Sequence, residues 1–207
     1  VLDPACGTGA YLVEVLRHIH QKAVEREGEL MAGQAVRKAV VGDASTKARI
    51  FGFELLPAPF VIAHLQIGLL LRGMKAPIED HNRAGVYLTN SLTGWSEFRQ
   101  LEINFTELRK EHDAAQQVKQ QEPIIVILGN PPYYGRAKPP PVKIEEERAL
   151  TGAYRETRNP DLPRPQGQGL NDLYVRFFRM AERKIVENTK RGIVCYISNY
   201  SWLDGLS

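Results

Sequence analysis

The tetrapeptide Asn130-Pro131-Pro132-Tyr133 is where this 207-residue chain concentrates groups able to do chemistry. Its two prolines stiffen the backbone and remove two N–H donors. What remains is a pair of acceptors, the Asn130 amide oxygen and the Pro131 carbonyl. Tyr133 adds an aromatic face beside them. Two acceptors next to a stacking surface suit a planar ring with an exocyclic amino group: the amino hydrogens meet the acceptors and the ring lies on Tyr133. The plainer alternative is a rigid loop holding a packed tyrosine.

A second cluster, Asp3-Pro4-Ala5-Cys6-Gly7-Thr8-Gly9, falls between an expected strand and an expected helix. Glycines there allow a tight turn and close approach of a ligand to the backbone amides at a helix start. The full dinucleotide fingerprint needs a third glycine where this chain has Leu12. A nucleoside with a short substituent therefore fits better than a pyrophosphate. Asp3, at the strand end, is placed to hold a cation such as the ammonium of an amino acid. Glu54 closes Gly52-Phe53-Glu54, and an acid at that position accepts hydrogen bonds from ribose hydroxyls. It follows Gly9 by 45 residues, against a usual spacing of about 20, and an extra helical stretch around 29–47 accounts for the difference. The bland counterparts are a glycine-rich turn and a solvated strand-end acid.

The elements that must position these residues alternate apolar runs with amphipathic stretches, the pattern of a parallel sheet with helices on both faces. Strands are expected at Val1–Asp3, Arg49–Glu54, Val86–Thr89, Ile124–Leu128 and Gly192–Ser198. The run Ile124–Leu128 reads as a central strand buried on both faces. Helices are expected at Ala10–Glu27, Glu29–Lys38, Ala58–Arg72 (entered through Pro57 and Pro59), Glu97–Gln121 and Asp172–Glu187. The helix over 97–121 reads as polar and mostly solvated. Gly135–Gly169, rich in proline, glycine and charge, reads as one long loop. The fold class is α/β, with a doubly wound, mostly parallel sheet forming one domain over residues 1–207.

Composition sets outer limits. Lys plus Arg number 27 against 24 Asp plus Glu, a net charge of +3, too mild to announce a polyanion partner. Two cysteines exclude a disulfide scaffold and suit a reducing compartment, so the expected location is cytoplasmic. No apolar run is long enough to span a membrane. The five histidines (18, 20, 64, 81, 112) do not pair with Cys6 or Cys195 at zinc spacing, so no metal site is expected. Both cysteines read as small packed residues, and His64 as a satisfied histidine in the apolar helix. The abrupt start at Val1-Leu2-Asp3-Pro4 and the end at Leu206-Ser207 read as cuts from something longer.

Together, Asp3-Pro4-Ala5-Cys6-Gly7-Thr8-Gly9 and Asn130-Pro131-Pro132-Tyr133 resemble motifs I and IV of the S-adenosylmethionine-dependent adenine-N6 DNA methyltransferases. Gly52-Phe53-Glu54 falls at motif II and Thr89-Asn90-Ser91-Leu92 at motif III, where many members carry Asp. Asn171-Asp172-Leu173-Tyr174 resembles motif V, and Gly192–Trp202 the strand that follows it. Within the family, the chain looks most like the methyltransferase part of type I single-polypeptide restriction-modification enzymes.

The resemblance implies a Rossmann-like methyltransferase fold, truncated at both ends. It implies S-adenosyl-L-methionine as cofactor, held by Asp3, Pro4, Ala5, Cys6, Gly7, Gly9, Glu54 and Asn90. It implies methyl transfer to N6 of an adenine flipped out of double-stranded DNA, with Asn130, Pro131, Pro132 and Tyr133 as catalytic residues. The partners implied are a target recognition domain, with helicase and nuclease domains, of the same parent polypeptide. Motif X and motif VIII are absent from the 207 residues, so this piece alone is expected to be inactive. Two rival readings stand beside this one: an RNA-base or protein-glutamine N-methyltransferase, and a non-catalytic remnant that binds cofactor or DNA.

Overall fold

The computed structural model describes residues 1–43, 45–79, 81–94, 106–133, 150–156, 161, 170 and 172–199. Within them lies a five-stranded sheet: β1 (Leu2–Asp3), β2 (Phe51–Glu54), β3 (Val86–Leu88), β4 (Val126–Gly129) and β5 (Ile193–Tyr196). The spatial order is β3-β2-β1-β4-β5 and every pairing is parallel. The chain winds outward from β1 through β2 to β3, then returns to the other side of β1 for β4 and β5. This is a Rossmann-like, doubly wound arrangement. Its strand order reverses at β1 and β4, where such sheets open a crevice at the carboxyl ends.

Helices α1 (Ala10–Glu27), α2 (Glu29–Val41) and α3 (Pro57–Gly73) pack on one face. Leu12, Leu16, Val36, Val40, Ala63, Ile67 and Leu71 form their shared core, closed below by Ile50 and Val86. α2 is the inserted helical stretch that separates Glu54 from the glycine turn. α3 begins with Pro57 in its first turn, where a missing N–H costs nothing, after an extended Leu56. On the opposite face, α4 (Thr106–Gln121) and α5 (Leu173–Glu182) close a core of Leu2, Phe51, Phe53, Ile127, Val118, Ile124, Ala181 and Ile185. α5 runs on into a π-helical segment, Arg183–Thr189. Among the described residues, no helix is long and apolar enough to cross a membrane.

Four expectations need correction. α4 is not merely solvated: Ala115, Gln116, Val118 and Lys119 are buried. β4 is not covered on both faces, since Val126 and Leu128 are only half-buried and Ile125 is 50% exposed. The reason is lateral: α3 packs against β2 and β3, and the core it shares with α1 and α2 includes no residue of β4 or β5. The same open face leaves Cys195 on β5 exposed, while Cys6 is packed as expected. Finally, 135–169 is not loop throughout. Thr151–Arg155 forms a 3-10 helix, and Leu150 packs with Leu92, Phe177 and Met180. The rest of that span apart from Glu156 and Asp161, the stretch 95–105, Asn171 and residues 200–207 lie outside the described residues.

Candidate active site

The expected site residues converge on the carboxyl edge of the sheet. Asp3 ends β1 and is fully buried. Its Oδ1 accepts the Ala5 backbone N–H at 3.1 Å. Its Oδ2 is buried and has no hydrogen-bond partner among the described residues. Burial, reinforced by the nearby charge of Glu54, pushes the carboxyl up to about 7 despite the Ala5 hydrogen bond. From there the chain turns through Gly7 and Gly9, both at positive φ, into α1. Gly7 has nothing within 4 Å of the place a β-carbon would take, so its backbone faces open space. The Cys6 thiol, by contrast, is packed and pushed up by burial and the two neighbouring carboxylates, which leaves it an unreactive SH.

Glu54, at the end of β2, ties that turn to the sheet. Its Oε2 accepts the Gly7 N–H at 2.9 Å, and its Oε1 accepts the Leu56 N–H at 2.7 Å. The turn after β3 is held from two sides. Ser91 donates its hydroxyl to the Pro4 carbonyl, and Asn90 Oδ1 accepts the Leu92 N–H at 2.9 Å. Beneath it, the Lys119 ammonium donates to Thr89 Oγ1 at 2.8 Å, Asn90 O at 2.7 Å and Thr93 O at 2.9 Å. Sequence reasoning did not find Lys119, and it reached Ser91 only as a member of the Thr89–Leu92 motif, with no role of its own. The available signal for Lys119 was its place in a helical stripe beside Ala115 and Val118.

Asn130 follows β4 directly. Gly129, the last residue of that strand, has φ +157, and a β-carbon there would lie 2.6 Å from Asp3 Oδ1. Asn130 and Pro132 are exposed, Pro131 is buried and Tyr133 is partly buried. The Tyr133 hydroxyl donates to Asn130 Oδ1. That bond presents the amide with its oxygen toward Tyr133, and a carbonyl oxygen keeps a second lone pair for another donor. The edge thus gathers an orphaned carboxylate oxygen, a glycine turn open to a ligand, an acid at the neighbouring strand end and an oriented amide acceptor. His64 lies outside it: its Nε2 is 3.2 Å from the Val86 carbonyl, the satisfied arrangement expected. Among the described residues, no group of three or more His, Cys, Asp or Glu is placed to hold a metal ion.

No family model and no curated relative matches the chain. Solved structures do. A nuclease-deletion mutant of the Type ISP restriction-modification enzyme LlaGI, in complex with a DNA substrate mimic, matches over 96% of this chain with a TM-score of 0.69 and 18% identity. The ATP-dependent Type ISP enzyme LlaBIII bound to DNA matches over 99%, with a TM-score of 0.72 and 21% identity. A cryo-electron-microscopy structure of a DrdV–DNA complex matches over 99%, with a TM-score of 0.67 and 23% identity. The shared property is the fold. This chain spans only 15%, 13% and 18% of those three chains, respectively. It has the architecture of one segment of each.

Proposed function

We propose that this chain is the catalytic part of an S-adenosylmethionine-dependent adenine-N6 DNA methyltransferase acting in a restriction-modification system. The observation that carries the reading is the junction at Gly129, which sets the Asn130–Tyr133 loop directly beside the Asp3 turn. The cofactor end and the acceptor end of a transfer site are then one residue apart. The fold shared with LlaGI and LlaBIII, both restriction-modification enzymes in complex with DNA or its mimic, supports the wider setting. Target recognition, helicase and nuclease functions then belong to other parts of the same polypeptide.

The cofactor's features find counterparts in this chain. The free, buried Oδ2 of Asp3 fits an ammonium group. The open backbone at Gly7 fits a ligand lying across the turn. Glu54 holds two backbone N–H groups, and each carboxylate oxygen keeps a lone pair for a ribose hydroxyl. When bound, S-adenosylmethionine supplies an activated sulfonium methyl. The adenine amino lone pair is delocalised into the ring and is a poor nucleophile. Asn130 Oδ1 and the Pro131 carbonyl accept its two hydrogens, which draws the nitrogen toward tetrahedral geometry and stabilises the charge that develops on attack. The cofactor bound beside them would supply its methyl to that nitrogen's electron pair and leave as the neutral thioether, and the nitrogen would then shed a proton. In-line displacement needs chiefly position, so no general base is required before attack. Tyr133 supports the flipped base, offsetting part of the few kcal/mol spent on unstacking it.

The test is transfer of labelled methyl by the whole protein to DNA, RNA and protein in parallel, followed by nucleoside analysis. N6-methyladenine in DNA is the expected product. Label confined to RNA or to glutamine side chains overturns the DNA assignment. Cofactor binding without transfer to any of the three overturns catalysis in favour of a binding module.

A further inference from the structure

We propose that Tyr196 is a positioning residue for Asp3, its hydroxyl reaching Asp3 Oδ2 across one bridging water, so that docking a cationic amino group on Asp3 expels a proton. This rests on the reading of Asp3 as the seat of the cofactor's ammonium. The placement comes from three adjacent strand ends. Tyr196 ends β5 in register with Gly129 of β4, and the Ile197 N–H donates to the Gly129 carbonyl at 3.0 Å. Gly129 is in turn the residue that Asp3 of β1 leans on. The Tyr196 ring is held by the edge of Phe178 at 5.2 Å and packs against the cores around Ile127 and Phe177.

Two buried polar atoms at this edge lack a partner among the described residues: Tyr196 OH and Asp3 Oδ2. They are complementary, one a donor and the other an acceptor, and buried polar groups left unmatched are uncommon. Burial, with the Asp3 charge added, holds the Tyr196 phenol well above its usual range, so it remains an O–H donor. Among the described residues, the titratable groups facing Asp3 are Glu54 from β2, Cys6 from the glycine turn and Tyr196 from β5. β4, Val126–Gly129, carries no titratable side chain. With its carboxyl at about 7, Asp3 is partly protonated near neutral pH. An ammonium on Oδ2 favours the carboxylate and drives that proton off. Tyr196 stabilises the same carboxylate, and so sets the pH at which the site becomes ready.

The experiment is calorimetric binding of S-adenosylhomocysteine to the whole protein, between pH 6 and 8.5, in buffers of different ionisation enthalpy. Wild type is expected to release about half a proton at pH 7, fading by pH 8.5. Tyr196→Phe is expected to move the midpoint of release up by roughly one pH unit, the scale of one hydrogen bond to a charged group. Its affinity at pH 8.5 should stay near that of wild type. Asp3→Asn should release no proton. Binding by wild type without proton release overturns the proposal, as does an unmoved midpoint in Tyr196→Phe. Both of those results leave the methyltransferase reading standing, whereas failure to bind the probe at any pH takes down both.

Discussion

The Asp3 carboxylate rests against the α-carbon of Gly129, close enough that a β-carbon there would lie 2.6 Å from Oδ1. This contact joins the end of β1 to the end of β4 and fixes the distance between the glycine turn and the Asn130 loop. Gly129→Ala should therefore damage the site beyond its effect on the strand. It adds a left-handed strain and forces Asp3 off the sheet edge, a combined cost of about 1–3 kcal/mol. Urea unfolding should show that loss, and cofactor affinity should fall as well. Wild-type affinity in a folded Gly129→Ala protein would show that the junction is not what organises the edge.

The role proposed for Asp3 sets function against stability. Its carboxyl titrates at about 7 in the fold against 3.8 for an ordinary aspartate. Between those values the folded chain holds a proton the unfolded chain has lost, so stability falls as pH rises through that window. The full cost is present above pH 7. Asp3→Asn keeps an acceptor for the Ala5 N–H and removes the charge. It should stabilise the cofactor-free protein at pH 8 by on the order of 2–4 kcal/mol, with no gain at pH 4. Thermal melting at the two pH values checks this, and the same variant should bind cofactor poorly.

Lys119 carries the turn that holds Asn90. Replacing it with methionine preserves length but removes three hydrogen bonds to that turn. The expected loss is about 2–4 kcal/mol in chemical denaturation, since buried carbonyls lose a charged donor. Cofactor affinity should also weaken in conditions where the variant remains folded, because the turn bonded to Pro4 through Ser91 loosens.

Tyr133 has two separable duties. Its ring is the proposed support for the base, and its hydroxyl orients Asn130. Tyr133→Phe removes only the second and should lower kcat about tenfold with a modest change in KM for DNA, the scale of one hydrogen bond. Tyr133→Ala should further weaken base engagement by roughly 1–3 kcal/mol for the lost stack. Steady-state kinetics on both variants separate the two. Equal behaviour of Tyr133→Phe and wild type would remove the hydroxyl from the mechanism.

Much of this was legible in the sequence, for physical reasons. Helical periodicity and the flanking glycines place α1 at Ala10–Glu27, as observed. The glycine turn, Glu54 and Asn130 lie at strand ends because apolar runs stop there, and a parallel sheet gathers those ends at one edge. What stayed hidden depends on contacts between distant segments. Lys119 looks like any lysine on a polar helix until β3 and its turn lie over it. Tyr196 looks like a core residue in an apolar run, because nothing local reveals an unmatched hydroxyl. Gly129 reads as a strand ending, and only the fold shows Asp3 beside it. The exposure of Cys195 and the half-burial of β4 are not legible locally, because an apolar run does not say which helices extend over it.

The central claim is that Asn130 and the Pro131 carbonyl activate an adenine amino group. The most direct measurement is N6-methyladenine formed in DNA by Asn130→Ala in the whole protein, alongside cofactor binding by the same preparation. The account predicts that methyl transfer collapses while cofactor affinity stays near wild type. Undiminished N6-methyladenine from the variant would contradict it.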